Sequence, residues 1–226
     1  MNTTEVLQQL EAMGTAQNCK VYTRHGVGQN QFGVSMANLK TLKNKIKVDQ
    51  VLAQSLWETG NHDARMLATM IASPKQIDNQ TLEAWGCDLD NYVIADAFSG
   101  LVSQSPLTWQ KMAVWTEAES EWVGQAGWNL LAHLAMKDET LADDYFRPYL
   151  ATIERDIHRR KNRVRYSMNN ALIAIGIRNE ILQEEAIAVA QKIGQVEVDH
   201  GETNCKTPEA VGYIQRTVAR KKRKSK

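Results

Sequence analysis

The sequence predicts an all-α protein, and three observations carry that prediction. Apolar residues recur at three- and four-residue intervals along most of the chain. No run alternates apolar and polar residues for five or more positions beyond residues 195–199. Each of the four prolines stands where a helix can begin or end.

The first fourteen residues, MNTTEVLQQLEAMG, are polar and amphipathic and lack the basic, then apolar, order of a secretory signal. Residues 35–57 place Met36, Leu39, Leu42 and Ile46, then Val51, Leu52, Leu56 and Trp57, on helical spacing, which predicts two helices joined near Val48 and Asp49. HDARMLATMIA, 62–72, predicts a third, closed by Ser73-Pro74. Further helices are expected near 78–86, 89–103, 106–117, 120–136, 139–150, 161–177, 180–194 and 208–221. Ser73-Pro74, Ser105-Pro106 and Thr207-Pro208 read as N-cap followed by proline at the first helical position. The run at 195–199 is short enough to be an extended loop. Periodicity alone leaves a compact bundle and a solenoid of stacked helix pairs both open.

A length of 226 residues allows one large or two small domains, and 43% hydrophobic residues exclude whole-chain disorder. The net charge of +1 conceals a division. Residues 1–150 hold 11 Lys and Arg against 17 Asp and Glu, net −6, and residues 151–226 hold 16 against 9, net +7. A basic C-terminal third makes an anionic partner plausible, with a solvated basic face as the bland alternative. No stretch approaches the roughly 18 apolar residues of a membrane span, and a soluble, cytoplasmic protein with no membrane partner is expected. Cys19, Cys87 and Cys205 are odd in number and widely spaced, which fits reduced thiols. Asp199, His200, Glu202 and Cys205 share a loop but match no zinc spacing, so no metal is expected.

Three constellations stand out. Arg155 to Arg165 contains six cations in eleven residues, Arg155, Arg159, Arg160, Lys161, Arg163 and Arg165, and a second basic run, 216–226, ends the chain. Lysines and arginines one turn apart can grip neighbouring phosphates. Six tryptophans among 15 aromatics read mostly as core, and of Trp122 and Trp128 at most one is expected to face a functional groove. Asp96 lies in an apolar stretch one helical turn after Tyr92, so phenol and carboxylate share a face; a carboxylate there is either satisfied structurally or open to a cleft.

These residues together resemble the DNA alkylation repair proteins built of HEAT-like helical repeats, the AlkD-like family. The resemblance rests on Gly33-Val34, Leu39-Lys40 and Lys43, the run Leu52 to Gly60, Asp63 to Ala68, Tyr92 with Asp96, Asn162 to Asn170, and Lys192 to Ile214. It implies a curved α-solenoid of degenerate HEAT-like antiparallel helix pairs over residues 1–215, followed by a basic tail at 216–226. It also implies a DNA glycosylase acting on cationic N3- or N7-alkylated purines without a cofactor. Asp96 would then be the catalytic carboxylate, with Tyr92 beside it where relatives have tryptophan. Gln125, Arg159, Arg160, Lys161, Arg163, Arg165 and Asn170 would contact the DNA. Gln125 and Asn170 stand where active relatives carry arginine and tryptophan, which motivates an alternative: a non-enzymatic protein that binds bent or branched DNA by shape and phosphate contact. A protein-binding solenoid is a third reading, suggested by the acidic N-terminal half. The expected partner is double-stranded DNA, alkylated in the enzymatic case, bound by a monomer.

Overall fold

The computed structural model describes residues 1–224, which form thirteen α-helices and two short 3-10 turns. Among these residues the extended structure is one isolated bridge between Gly14 and Val34, and residues 195–199 are a loop. The chain divides into two compact units.

The first unit, Met1–Gln110 with His200–Asn204, contains α1 (Thr3–Met13), α2 (Ala16–Arg24), α3 (Met36–Ile46), α4 (Gln50–Glu58), α5 (His62–Ile71), α6 (Asn79–Cys87) and α7 (Tyr92–Val102). The division falls within α8 (Thr108–Trp115). Helices α9 (Glu121–Lys137), α10 (Arg147–Asp156), α11 (Asn162–Gly176), α12 (Glu180–Ile193) and α13 (Ala210–Lys224) make up the second.

Helix starts in the first unit follow from side-chain acceptors. Asn2, Thr15, Ser35, Asp49, Asn61, Asp78 and Asn91 each accept a backbone N–H in the first turn of the helix they precede. Each such cap contributes about 1 kcal/mol. Helix α5 packs on α3, α4 and α7 and so stands at the middle of the unit. Its Asp63 is fully buried, and its carboxylate accepts from the backbone N–H groups of Phe32 (2.7 Å), Gly33 (3.1 Å) and Val34 (2.9 Å). That clip holds the segment leading into α3. Gly33, at φ +75°, sits against Thr15 and Cys19, where a side chain would collide with backbone. Trp57 and Trp85 stack at 4.2 Å in the core, and their indole N–H groups reach Asp88 and Gln54. Arg65 lies over the Trp57 ring at 5.2 Å.

The second unit is organised by the contact of α9 with α11, the most extensive between any two helices. Gly124 of α9 faces Val164 of α11, and Gly127 lets α9 approach the end of α8: a Cβ there would stand 2.4 Å from both the Thr116 nitrogen and the Trp115 carbonyl carbon. On the other side of α11, Gly176 leaves room for Ile214 of α13 and Ala186 of α12.

The structure departs from the sequence reading in several places. Helices α1 and α2 were not anticipated: α1 buries only Val6 and Leu10, and α2 buries no residue fully, so neither carries a broad apolar stripe. The helix expected at 139–150 is instead a 3-10 turn at Asp143–Tyr145 followed by α10 from Arg147. Pro148 explains the shift, because proline has no N–H and is tolerated only in a first turn. The Ser/Thr-Pro pairs do not cap at the prolines. Helix α6 starts at Asn79 on Asp78, α8 at Thr108 and α13 at Ala210, although the Ser105 hydroxyl does accept from the Leu107 N–H. Helix α13, expected near 208–221, spans Ala210–Lys224; Ser225 and Lys226, the end of the expected basic tail, lie outside the described residues. Among the described residues no helix is long and apolar enough to cross a membrane.

Candidate nucleic-acid interface

Asp96 and Tyr92 occur together because one turn of α7 separates them. Asn91 starts that helix by accepting from the Val93 and Ile94 N–H groups, and Ile94, Ala95 and Phe98 turn into the core. Asp96 is left exposed and Tyr92 half-exposed. The carboxylate is therefore not a buried structural group. Both residues line a groove of about 950 Å³ within the first unit, walled by α3 and α7 and floored by Met66, Thr69 and Met70 of α5. The charged residues of its lining are Asp96, Lys40 and Lys43.

Two features of this groove were missed in the sequence. The Tyr92 hydroxyl hydrogen-bonds His25 Nδ1, and the two rings meet edge to face at 5.9 Å. The residues are 67 positions apart, and no local pattern joins them. The second feature is cationic. Lys40 and Lys43 in the groove lining, and Lys45 and Lys47 outside it, are exposed, and no carboxylate of the described residues pairs with them. A shorter window would have found this strip: residues 12–48 hold six Lys and Arg and no Asp or Glu, which the −6 of residues 1–150 averages away.

At the N-terminal end of α5, the neighbourhood of His62 is structural. Burial pushes its imidazole pKa below the ordinary 6.5, an effect opposed by the negative charges of Asp63 and Asp90. Tyr22, edge-on to His62 at 6.0 Å, donates its hydroxyl to the Val34 carbonyl. Burial first, and then the charge of Asp63, raises its pKa and keeps it a donor.

The second unit carries the expected phosphate contacts unevenly. Arg159 and Lys161 are exposed, and Arg165 and Asn170 are half-buried. Among the described residues the Arg165 Nε has no hydrogen-bond partner. Arg160 turns inward, donating to the Thr116 and Ala118 carbonyls at 3.1 and 2.9 Å, where it closes the end of α8. Arg163 is only 7% exposed; its guanidinium covers the Tyr166 ring at 5.6 Å and its backbone N–H donates to Glu121. Gln125 is 2% exposed on the inner side of α9. The geometry thus leaves Arg159, Lys161, Arg165 and Asn170 accessible, and encloses Arg163 and Gln125. Of the tryptophans, Trp57, Trp85, Trp115 and Trp128 are core, whereas Trp122 is half-exposed and Trp109 is exposed.

A family model described as DNA alkylation repair enzyme matches residues 6–214. Two uncharacterised proteins are similar along their length. Lin0241 of Listeria innocua serovar 6a is 26% identical over 92% of this chain and 93% of its own. Lmo0209 of Listeria monocytogenes serovar 1/2a is 26% identical over 95% and 96%. A solved structure with 29% identity and a TM-score of 0.89 covers 98% of this chain and 95% of that one. It is described as a new family of proteins related to the HEAT-like repeat DNA glycosylases with affinity for branched DNA structures. The fold is therefore HEAT-like, and with the family match spanning nearly every helix the chain belongs to the DNA alkylation repair enzyme family.

Proposed function

We propose that this protein binds double-stranded DNA through its phosphates and hydrolyses the N-glycosidic bond of cationic N3- or N7-alkylated purines in the Asp96 groove. The observation that carries this reading is the position of Asp96: an exposed carboxylate beside an aromatic ring, in a groove whose other charges are lysines. A cationic purine is already a good leaving group. When the bond between C1′ and the base nitrogen breaks, its electron pair neutralises the base and positive charge develops on the deoxyribose. Asp96 stabilises that charge, Tyr92 offers a ring face to the sugar or the lesion, and a water oxygen bonds C1′ as its proton leaves to solvent. Arg159, Lys161 and Arg165 hold backbone phosphates elsewhere on the DNA.

The test is base release from duplex DNA containing N7-methylguanine, measured for the wild type and Asp96→Asn. Release above the spontaneous rate is expected, falling about 100-fold or more in the variant, as when one preorganised electrostatic group is removed from an active site. No release, or equal rates for the two proteins, would overturn the catalytic assignment.

A second reading, a non-enzymatic protein that binds bent or branched DNA, is favoured by the enclosure of Gln125 and by the described affinity of the solved relative for branched DNA. Tight binding to a branched duplex that survives Asp96→Asn, with no base released, selects it.

A further inference from the structure

We propose that Lys40, Lys43 and Lys47 form a phosphate-binding strip along α3 that seats one DNA strand at the Asp96 groove. This rests on DNA being the ligand, and adds to it a contact surface in the first unit, whose overall charge argues against one.

The strip follows from helix geometry. At 100° per residue, Lys40 and Lys43 fall about 60° apart on α3, where side chains three apart are neighbours about 5–6 Å apart at Cβ, and Lys47 follows at the C-cap. Met36 and Asn44 share that face and line the groove with Lys40 and Lys43. Val48, next to Lys47, lines it as well. Lys45 falls on the opposite face. Lysines so arranged repel one another, and no carboxylate of the described residues forms an ion pair with them. A polyanion does.

The ordinary explanation for lysines near a helix end is the helix dipole, which favours cations in the last turn. It accounts for Lys43 and Lys45. It does not account for Lys40, in the middle of the helix, or for the backbone of Lys47. Lys47 closes α3 at φ 66° and ψ −138°, and among the described residues it alone, apart from glycines, has positive φ. Glycine takes that conformation with least strain, and a residue held there despite the strain points to a use for its side chain. Its N–H also donates to the Lys43 carbonyl at 2.7 Å, so the strained residue is fixed to the strip.

The experiment is a titration of a labelled duplex with the full-length protein over a salt series. Each phosphate contact contributes about 0.9 to the slope of log affinity against log salt. Lys40→Gln/Lys43→Gln is expected to bind more weakly and to flatten the slope by about 1.8, whereas Lys45→Gln leaves it unchanged. Lys47→Gly separates binding from folding. It is expected to flatten the slope by about 0.9 while melting at or above the wild-type temperature, because glycine relieves the backbone. Salt-sensitive wild-type binding with an unchanged slope in both variants overturns the strip and leaves the Asp96 chemistry standing. Loss of base release in Asp96→Asn at unchanged slope bears on the chemistry alone. A wild type without salt-sensitive binding overturns both.

Discussion

Asp63→Asn tests whether one buried carboxylate holds the segment that presents α3. In the native protein Oδ2 accepts from Phe32 and Gly33 and Oδ1 from Val34. Asparagine keeps one acceptor oxygen, so in either amide orientation one or two of these N–H groups face an NH2 group instead. Each buried donor left unsatisfied costs about 1–3 kcal/mol, and the surviving bonds lose their charge assistance. The total is about 2–5 kcal/mol. In a protein of this size 1 kcal/mol moves the melting temperature by about 2–4 °C, which gives a drop of about 4–20 °C. Thermal unfolding followed by circular dichroism measures it. Asp96→Asn, the same chemical change at an exposed position, is the control and is expected to cost less. If Asp63→Asn melts within about 2 °C of wild type, Asp63 does not clip residues 32–34.

Two further predictions concern packing and pH. Gly127→Ala drives a methyl group onto the backbone of Trp115 and Thr116 and is expected to destabilise by about 3 kcal/mol or more. Gly100→Ala, on a face of α7 with nothing within 4 Å, is expected to stabilise by about 0.5–1 kcal/mol; denaturant titration of both variants checks the opposite signs. For pH, burial lowers the folded-state pKa of His62, and of His133 with help from Lys137. A lowered pKa means that the unfolded chain binds protons first. Stability is therefore complete above the ordinary value of 6.5 and declines as pH falls below it toward the depressed folded values. The carboxylates Asp78 and Glu180 are also depressed, but from ordinary values of 3.8 and 4.5, so their losses come at lower pH. Melting temperatures from pH 7.5 to 5.5 should fall, with a shallower fall in His62→Phe. A flat wild-type profile contradicts the burial argument.

The sequence reading recovered the helices with broad apolar stripes and missed those without. Helices α4, α5, α7, α9 and α11 bury whole faces, and their periods are visible in the residues; α3, which buries only Leu39 and Leu42, was found through the period it shares with α4. Helices α1 and α2 are held by caps and by narrow contacts, and the start of α10 depends on where one proline is tolerated. For the candidate site, the pairing of Tyr92 with Asp96 was legible because one helical turn joins them. The exposure of Asp96 was not, since an aspartate in an apolar stretch reads equally well as a satisfied core group.

What the sequence by itself determined was the all-helical character, the tryptophan-rich core, the pairing of Tyr92 with Asp96 and the resemblance to a repair family. All of these depend on residues close together in the chain or on their order along it. Only the tertiary structure decided which charges reach solvent. Arg163 and Lys161 are two residues apart, yet the first is buried and the second is exposed. Lys40 and Lys43 became part of the Asp96 groove because α5 packs on both α3 and α7. His25 meets Tyr92 across 67 residues for a related reason. The energy of such contacts comes from surfaces that meet after the helices pack, and neighbouring residues in the chain carry no record of which faces will meet.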